Sequence, residues 1–302
     1  MQTMKLSIGP IQYFWERQQV LCFYQQVADS PAEIIYLGEV ICSKRRLVKT
    51  KDWIAIGEEL RQSGKEVILS SLTLLEAASE TGALKKLCNN EDFMVEANDI
   101  SAVQLLSAAG KAFVTGPSVN IYNQHSLRLL AAKGLKRWVL PVELGLKTLA
   151  DMQAARPAGI ETEVFALGRL PLAYSARCYT ARSHNLPKDN CQFKCLDYPD
   201  GRMLKTRENQ EFLILNGTQT QSALTHQVLE KLPELAKLGV DVLRISPQSS
   251  NTLEIIEIFD SARKAPEIKP TGDELLKLLP AGACNGYLVG KAGLDYEVNP
   301  AA

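Results

Sequence analysis

Short apolar runs alternate with longer stretches of helical period along most of this chain, and that alternation limits its architecture more than any other feature. The runs Lys5–Ile8, Glu33–Leu37, Glu66–Leu69, Phe93–Glu96, Ala112–Thr115, Arg137–Leu140, Glu161–Ala166 and Asp241–Ile245 read as strands, and Phe212–Leu215 is strand-like. Between them Trp15–Ala28, Asp52–Ser63, Leu72–Leu87, Ile100–Ala109, Asn123–Lys133, Glu143–Ala154, His226–Lys237 and Thr252–Ala262 carry apolar residues at helical spacing. Strands of four to six residues separated by helices mean βα units on a parallel sheet. About eight such units predict an α/β fold of TIM type, a (β/α) barrel that is complete, or else partial and open. A doubly wound sheet is the rival. No Gly-rich phosphate fingerprint follows the first strand, where the sequence is SIGPIQYF.

The alternation stops between residues 168 and 210. Pro171, Pro187, Pro199 and Gly201 punctuate a long polar stretch there. A loop of that length inside a compact domain is usually functional. This one holds Cys178, Cys191 and Cys195, spaced C-x12-C-x3-C. The expected organisation is one barrel-like domain over 1–302, with an insertion at 168–210 and a Gly/Pro-rich extension at 266–302 containing one short helix, Asp273–Leu279.

The N-terminus lacks a charged stretch leading into an apolar one, so no secretory signal is read there. No run approaches about 18 apolar residues, so no transmembrane helix is expected and a cytoplasmic location is. Thiols are kept reduced in that compartment, and seven cysteines fit a disulfide framework poorly. The 34 basic residues balance 34 acidic ones, which argues against bulk capture of nucleic acid or an anionic membrane.

Thiolates are soft ligands for zinc and for iron–sulfur clusters, and a cubane cluster takes four. Cys178, Cys191 and Cys195 therefore need a fourth. Cys42 follows a strand by a few residues, which places it at the C-terminal face where barrel active sites assemble. Cys284, in the turn-like ACNGY, competes for the role. Cys22 and Cys88 read as small hydrophobes. Structural zinc favours paired CxxC knuckles, which the chain lacks, so the spacing suits a cluster better. Lys44, Arg45, Arg46, Arg177 and Arg182 flank these cysteines and would offset the negative charge of four thiolates, or form a solvated loop. His184 reads as a surface residue with a minor claim as a ligand, and His125 and His226 read as structural. There is no HExxH, GxSxG or P-loop, so conventional hydrolysis has no visible machinery.

The segment FALGRLPLAYSARCYTARSHNLPKDNCQFKC resembles the collagenase-like peptidase family (unclassified family thirty-two), in its branch serving oxygen-independent ubiquinone biosynthesis. The opening KLSIGPIQYFW, the run IIYLGEVICSKRR and the stretches RWVLPVELG, LNGTQT, DVLRISPQ and CNGY extend the likeness over nearly the whole chain. That resemblance implies an open, partial barrel holding one 4Fe-4S cluster on Cys42, Cys178, Cys191 and Cys195, with Cys284 outside the ligand set. It implies a heterodimer with UbiU, a lipid-binding accessory protein UbiT, and hydroxylation of a prenylated quinone precursor with prephenate as hydroxyl donor. Peptidase activity finds no support in the residues. The alternatives are a zinc-stabilised scaffold and a cluster-dependent RNA-base hydroxylation factor.

Overall fold

The computed structural model describes residues 3–265 and 272–298. In chain order the first half runs β1 (Lys5–Ile8), α1 (Arg17–Ala28), β2 (Ile34–Leu37), α2 (Thr50–Gln62), β3 (Glu66–Ser70), α3 (Ala78–Cys88), β4 (Met94–Ala97), α4 (Ile100–Ala108), β5 (Phe113–Thr115), α5 (Gln124–Ala131), β6 (Leu135–Val139) and α6 (Leu146–Ala154). The second half runs β7 (Glu161–Tyr174), α7 (Tyr179–Arg182), β8 (Arg202–Lys205), β9 (Glu211–Asn216), β10 (Gln219–Gln227), α8 (Leu232–Lys237), β11 (Val242–Ile245), α9 (Thr252–Lys264), α10 (Asp273–Leu278) and β12 (Ala283–Cys284).

Strands β1 to β7 pair in sequence order, all parallel, and β11 inserts between β7 and β1. Leu243 lies opposite Leu6 on one side and Val164 on the other. The ring is therefore a closed eight-stranded barrel. Of the two forms that the alternation allows it is the complete one, and the open ring implied by the resemblance is corrected by the pairing of β11 on both edges.

Strand side chains alternate between two faces, and each face has its own core. Leu6, Ile35, Leu37, Val67, Leu69 and Val95 point outward into a large apolar layer under the helices. The lumen holds a smaller apolar group of Ile34, Tyr36, Ile68, Val114 and Val242. On that inner face stand ionic residues too, Glu96, Glu163 and Arg244, all buried.

The stretch 168–210 is less irregular than its composition suggests. β7 continues beyond the barrel to Tyr174 and there pairs antiparallel with β10, which pairs with β9, which pairs with β8. This four-stranded sheet rises from the C-terminal face. β7 changes partner near Gly168, whose φ of 137° only glycine adopts freely; a Cβ there would lie 2.5 Å from Ser246 Cβ. Two expected helices are shorter than their patterns. His226 belongs to β10, and the helix after it starts at Leu232 with Pro233 in its first turn. α3 starts at Ala78 rather than Leu72, because the Glu80 carboxylate accepts from the backbone N–H groups of Glu76 and Ala77. Of the extension expected at 266–302, residues 266–271 and 299–302 lie outside the described residues; within the rest, α10 forms as expected and β12 pairs with β10. No helix among the described residues is long and apolar enough to cross a membrane.

A four-thiol hollow on the C-terminal face

Cys42 lies in the loop after β2. The Glu39 carboxylate shapes that loop by accepting from the backbone N–H groups of Ile41 at 2.8 Å and Cys42 at 3.0 Å. Gly38 starts it with a φ of 134°, pressed so close to β3 that a Cβ would sit 2.6 Å from the Ser70 carbonyl. Cys178 is the N-cap of α7, and its sulfur accepts from the Ala181 N–H at 3.4 Å. The turn between β9 and β10 holds this short helix: Tyr179 N–H donates to the Gly217 carbonyl at 2.7 Å, and Gly217 N–H donates to Thr180 Oγ1 at 2.9 Å. Cys191 and Cys195 follow in two 3-10 turns, separated by Gln192 and Phe193 with φ of 51° and 50°. Two consecutive left-handed residues reverse the chain and bring both thiols to the same side.

Cys42, Cys178, Cys191 and Cys195 line one hollow. It is small, about 20 Å³, room for a single water. Among the described residues no three His, Cys, Asp or Glu side chains are grouped closely enough to be ligands of one metal ion. Cys284 is elsewhere, buried where β12 pairs with His226 of β10. Cys88 is buried at the end of α3, as its composition suggested, whereas Cys22 is exposed on α1.

Arg45 is the buried charged residue of this site. It lines the hollow, is 4% exposed, and donates from Nη1 to the Gln12 carbonyl at 2.7 Å and from Nη2 to Asn216 Oδ1 at 2.8 Å. Its Cζ stands 5.6 Å from the centre of the Phe14 ring, and Nε is buried without an acceptor. Burial opposes its charge, but the Glu39 carboxylate and the thiols of Cys195 and Cys42 outweigh that and strengthen its hold on the proton. Burial pushes the thiols of Cys42 and Cys195 up, with Arg45 acting against it. Lys44 spans the two halves of the site, donating to the Lys188 carbonyl at 2.9 Å and to Asp189 at 3.0 Å. Lys194 also lines the hollow.

The other flanking residues are more distant. Arg46 donates to the Ser43 carbonyl on the surface, and Arg177 and Arg182 are exposed, outside the residues that line the hollow. His184 pairs with the Tyr198 hydroxyl at 3.1 Å, His125 is exposed on α5, and His226 is buried. Glu39, Gln12 and Asn216 organise the site yet carry no local motif. The Asn216-Gly217 pair is a hairpin-turn signal that was available.

Back to back with the hollow, and sharing Arg45 with it, lies a mostly apolar cavity of about 670 Å³ between α2 and α3. Leu37, Leu69, Leu72, Trp53 and Leu84 line it, with Arg46 and Lys49 among its polar residues.

Residues 16–294 match the profile of Peptidase family U32. The chain is also similar to the solved structure of the U32 peptidase Mk0906, at 10% identity and a TM-score of 0.46 over 82% of this chain and 94% of that one. Dihydropteroate synthase from Thermus thermophilus is 11% identical at a TM-score of 0.42, over 85% and 94% of the two chains. 3-Hexulose-6-phosphate synthase from Salmonella typhimurium is 15% identical at a TM-score of 0.43, over 80% and 89%.

Proposed function

The chain belongs to Peptidase family U32, and we propose that within it the protein is the UbiV-like, iron–sulfur subunit of an oxygen-independent ring hydroxylation system, rather than a peptidase. The observation that carries this reading is that four cysteines, from three separate segments, line one hollow beside a buried guanidinium.

The donor set fits a 4Fe-4S cluster. Four cysteines are present, one per iron, and the residues lining the hollow include no His, Asp or Glu to compete with them. Cys42, Cys178, Cys191 and Cys195 would hold it, and such a cluster supplies one-electron transfer. A group of that size would widen the hollow, and the 3-10 turns carrying Cys191 and Cys195 are short segments able to yield. Arg45 would offset part of the negative charge of four thiolates, which raises the potential at which the site accepts an electron. Phe14 and Phe193, with ring centres 5.9 Å apart, flank the site and reduce the access of water. The adjoining apolar cavity offers room for an aromatic ring with an apolar tail, the chemistry of a prenylated quinone precursor. UbiU is the proposed heterodimer partner, UbiT-like protein the proposed lipid carrier, and prephenate the proposed hydroxyl donor.

The test is hydroxylation of the quinone precursor without oxygen, by this chain reconstituted with a UbiU-like partner and prephenate. Replacing Cys178→Ala is expected to abolish turnover. Full turnover by that variant would remove the requirement for the thiol site. A zinc-stabilised scaffold is the second reading, since four thiolates are also a zinc donor set; it would draw all four sulfurs onto one ion at about 2.3 Å.

A further inference from the structure

The layer of helices around the barrel has a gap. α1 packs against α2 and α3 against α4, but between α2 and α3 the cavity of about 670 Å³ takes the place of helix packing. α2 sits tight against its neighbours at Gly57, where a Cβ would lie 3.0 Å from the Phe93 ring. One turn earlier, Trp53 borders the cavity instead.

Gly82 helps to keep this space open. It lies in the middle of α3, where glycine costs about 1 kcal/mol relative to alanine. No close packing accounts for it, since a Cβ there would meet nothing within 4 Å. Gly82 lines the cavity, so a large side chain at this position would take up its volume.

The cavity walls are mainly apolar, and the volume suits a drug-sized molecule. Its two acidic groups are satisfied within the chain. The Glu80 carboxylate accepts from Ser43 Oγ at 2.5 Å and from the backbone N–H groups of Glu76 at 2.7 Å and Ala77 at 3.0 Å. The Glu39 carboxylate is held by the Ile41 and Cys42 N–H groups and lies 3.8 Å from Arg45. Three cations are placed differently. Arg46, Lys49 and Lys86 line the cavity at exposed positions, and among the described residues none of them is in an ion pair. With Arg45 they leave the lining with more positive than negative charge.

We infer that this cavity binds an amphiphile with an apolar body and one anionic head group, the body against Trp53 and the leucines and the head group at the rim among Arg46, Lys49 and Lys86. Burying the body removes apolar surface from water, and an anion at the rim meets opposite charge while staying partly hydrated. A cationic head would meet three like charges, and a neutral one gains nothing from them. The inference rests on the cavity that the reading above also uses, adds an acid to its ligand, and asks nothing of the thiol site.

The probes are decanoate, decyl phosphate and decanol, each titrated into the full chain by calorimetry below the concentration at which it aggregates. At least one of the two anions is expected to bind saturably, at one per chain and at least tenfold tighter than decanol; which of them does so tells a carboxylic acid from a phosphate ester. Gly82→Trp fills the cavity from a helical position that other residues adopt freely, and anion binding is expected to disappear in it. The triple variant Arg46→Gln, Lys49→Gln and Lys86→Gln, all at exposed positions, is expected to weaken the anion at least tenfold and to leave decanol unchanged. Failure of both anions to bind, binding that survives Gly82→Trp in the folded variant, or affinity indifferent to the three cations would overturn the inference. Decanol binding as tightly as the anions would overturn it too, while leaving the cavity free for the neutral prenylated ring proposed above.

Discussion

Arg45 Nη2 donates to Asn216 Oδ1 at 2.8 Å, across 171 residues of chain, and so fastens the loop bearing Cys42 to the turn that supports Cys178. Three of the four thiols come from the long insertion and one from the second βα loop. This buried bond, with the Gln12 carbonyl on Nη1, holds the two contributions together.

Removing that guanidinium should therefore cost more than an ordinary surface arginine. Arg45→Ala leaves the Gln12 carbonyl and Asn216 Oδ1 without their shared donor and the Glu39 carboxylate without its ion-pair partner, and a loss of about 3 kcal/mol is expected. Urea unfolding checks it. A loss below about 0.5 kcal/mol, the scale of an ordinary surface substitution, would mean the loop is held by other contacts.

Within the lumen, Glu163→Gln removes a carboxylate that faces Arg244, Ser7 and Tyr36. Its carboxyl is held below the usual range: burial alone would raise it, but Arg244 and Arg137 more than reverse that. Leaving Arg244 with only Glu96 as counter-ion is expected to cost about 3 kcal/mol or more. Equal stability of variant and wild type in the same titration would contradict the network's role.

His226 gives the fold an acid-sensitive group. Burial lowers its pKa from 6.5 to about 4. Between those values the unfolded chain binds a proton that the folded chain does not. Stability is thus fully present above about pH 6.5, falls as the pH drops toward 4, and levels off below. The contribution is about 3 kcal/mol. Between pH 7 and pH 4 the unfolding free energy of wild type should fall by about that amount more than that of His226→Leu; an equal change in both would show that the imidazole is protonated inside the fold.

At the strand junction, Gly168→Ala forces a side chain onto a φ of 137° and against Ser246. A loss of about 2 kcal/mol or more is expected. Adding Ser246→Gly relieves the contact but not the backbone strain, so the double variant should recover part of the loss. Full recovery, or no loss in the single variant, would show that φ does not matter there.

The barrel was legible because the period of its apolar runs alternates between strand and helix, and seven of the eight barrel strands lie within a residue or two of where that pattern puts them. The eighth, β7, was legible only in its lower half. Pro171 reads as a strand breaker, yet it falls where the β7–β10 register shifts, so its missing N–H costs no regular ladder bond. β10 was hidden for a different reason: QTQSALTHQ has few apolar residues, and its buried glutamines find partners that only the fold supplies, Gln219 and Gln221 donating to Gln12 Oε1 and Gln227 to the Tyr296 hydroxyl. The ionic lumen had no signature at all. Glu96, Glu163 and Arg244 look like solvent-facing positions on short strands until the ring closes around them. At the candidate site, three cysteines announced themselves by spacing and Cys42 by its place after a strand. Glu39, Gln12 and Asn216, which position them, come from separate segments that only the fold brings together.

The central claim, that four thiols hold an iron–sulfur cluster, is tested most directly by the absorption spectrum of the protein purified without oxygen, with iron and acid-labile sulfide counted on the same sample. The account predicts a broad band at about 400 nm with roughly four iron and four sulfide per chain, lost on replacing Cys42, Cys178, Cys191 or Cys195 by serine and retained on replacing Cys284. One zinc per chain without sulfide, or a band that survives loss of these cysteines, would contradict it.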